Sequence, residues 1–334
     1  MKQSYKLLYL LMFCAFIFNK INAQQDAHFT QFMFNKLWLN PGFAGDNEKI
    51  CATLLQRNQW VGFGGGSEPN GPQGQRISRG ATPENLIFSL NSRIGEKIGV
   101  GLLFYRDALG FEQTISVMPS ISYRHMFPNQ SVLSTGVTVG YMQKTLRGSE
   151  LKALEPDDPL IPLGDVSGGG LDINFGAYYT MPQLSIFDNF YAGLSATHLN
   201  QSQIQYANYN KYDNALHYYL MTGAEYVLNS ELTLMPNILV KKDPAKIQAD
   251  INCLVEWNQK IRGGLTWRPI DAISIILGYN FLSNFTVGYS YDLTTSKILN
   301  YSSGSHEIML RYCFGIKTQP RVKVITPRLT PRFM

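Results

Sequence analysis

The fold is decided by residues 273–281, Ile-Ser-Ile-Ile-Leu-Gly-Tyr-Asn-Phe, and by residues 285–292, Phe-Thr-Val-Gly-Tyr-Ser-Tyr-Asp. In both stretches large apolar residues occupy the odd positions and small or polar residues lie between them, with Ile276 as the exception. Successive side chains of a β-strand point to opposite faces, so each stretch has one apolar face and one polar or small face. A lipid-facing apolar surface around a polar interior is typical of a transmembrane β-barrel.

The same alternation recurs along the chain in fourteen segments between residues 49 and 316. Short connections such as 95–96 and 258–259 alternate with longer ones, and every long loop, including 61–83 and 145–169, falls on the same side. Bacterial outer-membrane barrels have even strand numbers, short periplasmic turns and long external loops. We therefore expect an all-β protein: a transmembrane antiparallel β-barrel of about 14 strands over residues 49–316, in the bacterial outer membrane, with both termini in the periplasm.

Three segments lie outside this pattern. Residues 1–23 combine two early lysines, a short apolar core and a final alanine, which predicts a secretory signal peptide with a core too short to span a membrane. Residues 24–48 are apolar without sustained alternation, and we expect them to form a plug or a periplasmic cap. Residues 317–334 hold five basic residues, three prolines and no acid, which predicts an extended basic periplasmic tail.

Three cysteines remain after the predicted signal peptide, namely Cys51, Cys253 and Cys313, and an odd count argues against a disulfide framework. If the first and last strands close the barrel, Cys51 and Cys313 lie near the same rim and come within reach of a cross-strand bond. The favoured interpretation is nevertheless that both are unpaired small residues that fill the lumen.

No pattern indicates an enzyme. The five histidines fit no zinc-protease spacing, and the Gly-x-Ser-x-Gly motif of hydrolases is absent from the sequence. The neighbours Ser305, His306 and Glu307 point to alternating faces of a strand, so they cannot form a triad with one another. We predict no catalytic residue, no cofactor and no metal site. Because the net charge of +5 is concentrated in the tail and the signal peptide, no nucleic-acid surface is expected either.

Three motifs near the N-terminus carry a family resemblance: Phe-Thr-Gln-Phe-Met-Phe-Asn at 29–35, Leu-Asn-Pro-Gly-Phe-Ala-Gly at 39–45 and Arg-Asn-Gln-Trp at 57–60. Together with Gly-Tyr-Asn-Phe at 278–281 and Pro-Arg-Phe-Met at 331–334, they make the chain similar to the PorP/SprF family of type IX secretion system outer-membrane proteins. The chain departs from the family pattern at Lys36, where a proline is common.

The resemblance implies a non-enzymatic component of type IX secretion and gliding motility. Such a component binds, anchors or assists the export of large secreted surface proteins, such as adhesins, through their C-terminal domains. The implied partners are outer-membrane lipid and lipopolysaccharide, the adhesin C-terminal domain and the periplasmic lipoprotein ring of the machinery.

Exposed aromatic anchors suit partner docking, and the family motifs supply such residues around the first predicted strand. An alternative assigns the same aromatics to the interfacial belt or to the plug. The candidate partner-binding residues are Phe29, Gln31, Phe32, Asn35, Trp38, Asn40, Pro41, Phe43, Arg57, Gln59 and Trp60.

Two other functions remain open. A passive or substrate-specific channel would carry charged residues along its lumen, whereas the inward positions here are mostly Ser, Thr, Gly and Asn, which favours a filled or occupied lumen. A lipid hydrolase would need a serine and a histidine within hydrogen-bond reach of each other.

Overall fold

The structure is a computed structural model that describes residues 26–63, 82–151, 162–206, 211–282 and 284–315. The predicted signal peptide at residues 1–23 and the predicted basic tail at residues 317–334 lie outside the described residues. Within these ranges, no helix is both long enough and apolar enough to cross a membrane.

Fourteen antiparallel strands close into one barrel, which confirms the predicted fold. Each strand pairs with the next barrel strand along the chain, and the first pairs with the last, with Cys51 opposite Cys313. The barrel strands are β1 (Ile50–Asn58), β2 (Glu84–Ile94), β3 (Ile98–Leu109), β4 (Glu112–Met126), β5 (Val132–Leu146), β6 (Val166–Leu184), β7 (Phe187–Thr197), β10 (His217–Val227), β11 (Leu232–Lys242), β12 (Ile247–Trp257), β13 (Ile261–Arg268), β14 (Ala272–Leu282), β15 (Phe285–Thr294) and β16 (Ser305–Phe314).

The two ends of the barrel differ in their connections. At one end, here the terminal end, β1 begins and β16 finishes, and the turns between strands are short. The other end, here the loop end, carries the long connections 59–83, 147–165, 198–216 and 295–304. The loop at 198–216 contains two further strands, β8 (Gln203–Gln205) and β9 (Lys211–Asp213), which pair with each other outside the barrel sheet.

The alternation read from the sequence matches the two faces of the wall. On β14, Ile273, Ile275 and Leu277 are exposed on the outer face, while Ser274 is completely buried inside. Ile276, the exception in the pattern, faces inward and belongs to an apolar cluster in the lumen. The barrel therefore presents an apolar outer surface, and its interior is packed.

Residues 26–47, called the plug segment below, fill much of this interior. They form three short 3₁₀ helices at Phe32–Phe34, Lys36–Trp38 and Pro41–Phe43. Their apolar side chains pack in two clusters with inward residues of the wall. Ile204 of the β8–β9 hairpin joins the first cluster, so this loop also packs inward. Two further 3₁₀ helices, Gly148–Glu150 and Lys297–Tyr301, lie in loop-end connections.

Candidate functional site

The start of the plug segment is held by a buried group of charged and polar residues, here called the polar anchor. It comprises Thr30, Gln31, Arg57, Asp292 and Glu307. The Glu307 carboxylate accepts hydrogen bonds from the backbone N–H of Thr30 at 2.8 Å and of Gln31 at 2.9 Å. The Thr30 hydroxyl donates to Asp292 at 2.8 Å. Arg57 donates to Asp292 at 2.7 Å and to Glu307 at 3.3 Å, which pairs both buried carboxylates. Burying such charges is tolerable only because each is paired and hydrogen-bonded.

A second network extends the polar anchor along the wall. Arg268 donates two hydrogen bonds to Asp250, at 2.9 and 3.1 Å, and lies 3.6 Å from Asp292. His28 of the plug segment lies 3.9 Å from Asp250. The start of the plug segment therefore faces charged side chains from five strands, β1, β12, β13, β15 and β16.

The later part of the plug segment packs against small residues of the wall, here called the glycine dock and comprising Gly99, Gly136 and Gly176. A Cβ atom on Gly136 would lie 2.3 Å from the carbonyl oxygen of Pro41, and one on Gly176 would lie 2.1 Å from Oδ1 of Asn40. Real Cβ atoms do not approach so closely. At these three positions the wall has no side chain, which leaves room for the plug segment to lie against the strand backbone.

Asn40 links the plug segment to the wall within this dock. Its side-chain amide donates to the carbonyl oxygen of Ala177 at 2.9 Å and to that of Leu194 at 3.3 Å. Its Oδ1 accepts from the backbone N–H of Gly42 at 2.8 Å, which caps the short helix Pro41–Phe43. The Ser195 hydroxyl donates to the carbonyl oxygen of Leu39.

The dock continues to the end of the segment. The Ser122 hydroxyl donates to the carbonyl oxygen of Ala44 at 2.6 Å, and Oδ1 of Asn91 accepts from the backbone N–H of Gly45 at 2.6 Å. A Cβ atom on Gly99 would lie 2.0 Å from the Ala44 oxygen. Backbone polar groups of the segment are thus satisfied by short side chains of the wall.

Lys36 lies among aromatic rings between these two regions. Its ammonium is 3.4 Å from the centre of the Tyr191 ring, donates to the Tyr178 hydroxyl at 3.2 Å and lies 5.7 Å from the Phe43 ring. Such contacts attract a cation to the ring face. Burial lowers the pKa of Lys36 to about 8, and the nearby Asp46 only partly offsets this effect. Burial likewise raises the pKa of Asp46, against the opposing influence of Lys36.

A third contact region lies where the described chain begins. Asp26 Oδ1 is 3.0 Å from Nε2 of His198, and Asp26 Oδ2 accepts from the Tyr219 hydroxyl at 2.6 Å. His217 approaches the same carboxylate to 3.8 Å, and Lys241 donates to the Asp26 backbone oxygen at 2.9 Å. Sequence reasoning missed this cluster because its members come from three distant parts of the chain, so no local spacing reveals it.

The eleven candidate partner-binding residues separate into three sets. Gln59 and Trp60 lie at the loop-end rim and are partly exposed. Trp38 is half-buried and stacks on Tyr105, with 4.5 Å between ring centres. The other eight are buried contacts between the plug segment and the wall: Phe29, Gln31, Phe32, Asn35, Asn40, Pro41, Phe43 and Arg57. In this arrangement Gln59 and Trp60 are accessible from outside the barrel, whereas the buried eight are covered by the wall and the plug segment.

Open space remains at both mouths. At the terminal end, cavities of about 840 and 470 Å³ share Asn47, Glu225, Arg262 and Arg311 in their walls. At the loop end, a cavity of about 150 Å³ is lined by Asp26 and Asn214 among others.

The first and last strands are covalently joined. Cys51 and Cys313 form a disulfide with their Cα atoms 4.1 Å apart, so the favoured interpretation of two unpaired cysteines is wrong. The residues are directly opposite in the β1–β16 pair, a position fixed by closure of the barrel. Cys253 is free and exposed on the outer face.

Three comparisons place the chain among known proteins. A family model described as "Type IX secretion system membrane protein PorP/SprF" matches residues 21–312. No sequence match is found among curated proteins.

Among solved structures, the chain is similar to the Ralstonia pickettii toluene transporter TbuX, with 11% identity, 86% of this chain and 94% of that chain covered, and a TM-score of 0.47. It is also similar to the P. putida toluene transporter TodX, with 9% identity, coverage of 84% and 94%, and a TM-score of 0.46. A Pseudomonas aeruginosa FadL homologue follows with 12% identity, coverage of 82% and 92%, and a TM-score of 0.44. These similarities support no statement about what this chain binds or transports.

Proposed function

Because the chain belongs to the PorP/SprF family of type IX secretion system membrane proteins, we propose that it is a non-enzymatic outer-membrane component that holds a large secreted surface protein. It binds, anchors or assists the export of an adhesin through that protein's C-terminal domain, and so serves gliding motility. In this proposal the loop end faces the outside and both termini lie in the periplasm. Lipid and lipopolysaccharide surround the apolar outer face.

The packed lumen is the observation that carries the proposal. The plug segment contributes Phe29, Phe32, Leu37 and Phe43 to buried clusters that include inward residues of the wall. A barrel filled in this way is suited to presenting rims and loops to macromolecules rather than to free diffusion through its centre. The partner surface is therefore proposed at the two mouths.

The loop-end rim beside β1 has the features of a docking surface. Val61 forms two backbone hydrogen bonds with the facing loop before β16. Its N–H donates to the carbonyl oxygen of Gly304 at 2.8 Å, and its carbonyl oxygen accepts from the N–H of Ser303 at 2.7 Å. Leu299 and Tyr301 expose large apolar surfaces beside this link. Partly exposed Trp60 lies at the same rim and pairs with the Phe63 ring at 6.2 Å. Aromatic anchors of this kind commonly dominate binding energy at interfaces.

The proposal is tested by purifying the tagged protein from its native membrane and identifying what accompanies it. We expect a large secreted protein with a C-terminal export domain, and we expect its recovery to stop when that domain is deleted. The double variant W60A/Y301S should reduce recovery at least tenfold. The matched control is Ile270→Asn, which changes a highly exposed apolar residue in another loop-end turn. Recovery of barrel-assembly factors alone would contradict the anchoring role.

A passive or substrate-specific channel is the second candidate, and the two adjoining cavities at the terminal end favour it. Conductance in planar lipid bilayers separates the two functions. The anchoring proposal expects no steady conductance from the full chain and open pores after deletion of residues 26–47. Steady conductance of the full chain, with selectivity for one class of solute, would favour the channel instead.

A further inference from the structure

We propose that Asp26, His198 and His217 form a binding site for a zinc-class divalent cation, which joins the start of the plug segment to the barrel wall. The three residues come from the plug segment, from the loop after β7 and from the first residue of β10. Each offers one donor atom, and these atoms all lie within 4.8 Å of one another. Two imidazoles and one carboxylate are a donor set that suits zinc and similar metals.

The separations fit a site that closes on an ion. Two ligands in a tetrahedral zinc shell, each about 2.0–2.1 Å from the metal, are about 3.3 Å apart. Nε2 of His198 is 3.0 Å from Asp26 Oδ1, already close to that value. Nδ1 of His217 lies 3.8 Å from Asp26 Oδ2, and a rotation of the His217 ring is needed to turn its Nε2 toward the same carboxylate.

The contacts around the two histidines provide a second, independent observation. Nδ1 of His198 lies 2.8 Å from Asp172 Oδ1 and 2.9 Å from the side-chain amide of Asn214, and Nδ1 of His217 lies 2.9 Å from the backbone oxygen of Ala215. Metal-binding histidines usually donate the N–H that faces away from the metal to a carboxylate or a backbone carbonyl, which leaves the other nitrogen free to bind. In that tautomer Nε2 of His198 already faces Asp26, and Nε2 of His217 becomes the available donor once its ring turns toward the carboxylate.

Unpartnered buried atoms lie at this cluster. Nε2 of His217 and Oδ2 of Asp172 are buried and have no hydrogen-bond partner among the described residues. Leaving such groups unpaired costs free energy, and a bound cation would satisfy the ring nitrogen directly. Asp26 also lines the loop-end cavity of about 150 Å³, which offers room for a water ligand.

The charges of the cluster are compatible with a cation. Asp26 and Asp172 contribute two carboxylates, and Lys241, which donates to the Asp26 backbone oxygen, contributes one positive charge. With neutral imidazoles the group carries an excess of negative charge, which a divalent ion compensates. Calcium and magnesium prefer oxygen ligands, so two imidazole donors select against them.

The test uses the tag-free, full mature chain in detergent, in a Cys253→Ser background that removes the free thiol. After metal depletion the protein is titrated with zinc chloride by calorimetry, and cobalt(II) is used as a spectroscopic probe of the ligand geometry. We expect one zinc per chain and a cobalt spectrum typical of nitrogen and oxygen ligands. His198→Ala and His217→Ala should each weaken zinc binding at least tenfold. Asp172→Asn, which alters only the partner of His198, should weaken it about 10- to 100-fold.

Two histidines outside the cluster supply the matched control. His125 packs on Phe127 near the terminal end, and His306 contacts the Tyr289 hydroxyl on the outer face. Zinc binding should be unchanged in H125A/H306A. If His198→Ala does not fold, as judged by the heat-dependent migration of barrels in gels, His198→Gln replaces it. Absence of stoichiometric zinc binding, preference for calcium, or wild-type binding by the folded His217→Ala variant would each overturn the proposal and leave a hydrogen-bonded ion pair in its place.

Discussion

Residues 28–31 and residues 39–45 of the plug segment lie in the same barrel but are held there by different interactions. The first stretch meets buried charges, with Glu307 accepting from two successive backbone N–H groups and Arg57 pairing the carboxylates. The second meets almost no charge: its backbone lies directly on Gly99 and Gly136, and the Asn40 side chain lies on Gly176. The first stretch therefore depends on the pairing of buried charges, and the second depends on the space left by small wall residues. A substitution in one set of contacts should loosen its own stretch from the wall and leave the other in place.

The largest effect is expected at the polar anchor. Arg57→Met keeps most of the side-chain volume but leaves Asp292 and Glu307 buried without their cation, which should destabilise the barrel by about 3–5 kcal/mol. The measurement is the urea midpoint of the folded form in detergent, together with hydrogen exchange of residues 28–31. The control Arg147→Met removes a partly exposed pair with Glu150 and should change stability by less than about 1 kcal/mol. An equal loss of stability in Arg57→Met and Arg147→Met would show that the buried charges of the polar anchor contribute no more than an exposed ion pair.

A smaller effect is expected at the glycine dock. Gly136→Ala places a methyl group in the space of the plug backbone, and Gly176→Ala places one in the space of the Asn40 side chain. Overpacking of this kind costs about 1–3 kcal/mol. Hydrogen exchange should rise at residues 39–45 and remain unchanged at residues 28–31. Gly263→Ala is the matched control because nothing lies within 4 Å of its added Cβ. Faster exchange at both halves would mean that they are released together.

Substitution of Asn40 tests how much hydrogen bonds contribute to holding residues 39–45 against the wall. Asn40→Ala removes the cap of Pro41–Phe43 and two hydrogen bonds to the wall, and should cost about 1–2 kcal/mol. Asn229→Ala removes an exposed turn cap that does not touch the plug segment and serves as control. Stability equal to that of the wild type would show that packing alone holds this half.

The smallest effect concerns pH. The pKa of Lys36 is lowered to about 8 from its usual 10.5, so the folded state binds fewer protons than the unfolded state between these values. Stability should therefore rise as pH increases from about 8 to 10.5, and below that window the full cost of burying the ammonium remains and does not vary with pH. Because the Lys36 side chain is only half-buried, we expect the free energy of unfolding to rise by about 1 kcal/mol across this window. The rise should be absent in Lys36→Met, and identical pH profiles of the two proteins would contradict the assignment.

The wall of the barrel was predictable because the alternation of side chains is a local property of the sequence. Even the exception at Ile276 has a physical reason, since it meets the apolar cluster around Phe29 and Phe34. The β8–β9 hairpin was not predicted, because strands of three residues within a loop carry too little pattern.

The contacts inside the barrel could not be read from spacing. Arg57 is separated from Glu307 by 250 residues, and only closure of the sheet brings the two together. The same holds for Asp26, whose histidine contact at His198 is 172 residues away. The disulfide was misjudged because an odd number of cysteines says nothing about which two lie opposite each other at the junction of the first and last strands.

The bond between Cys51 and Cys313 also changes the mechanics of the barrel. β1 and β16 form the barrel pair that no turn connects, so a sheet pulled from its ends would begin to peel apart there. With the two sulfurs bonded, residues 51–313 make a covalent ring, and tension applied at either end of the chain passes through this rim. Under a pulling force, the plug segment or the contacts with external partners would then be lost before the barrel strands separate.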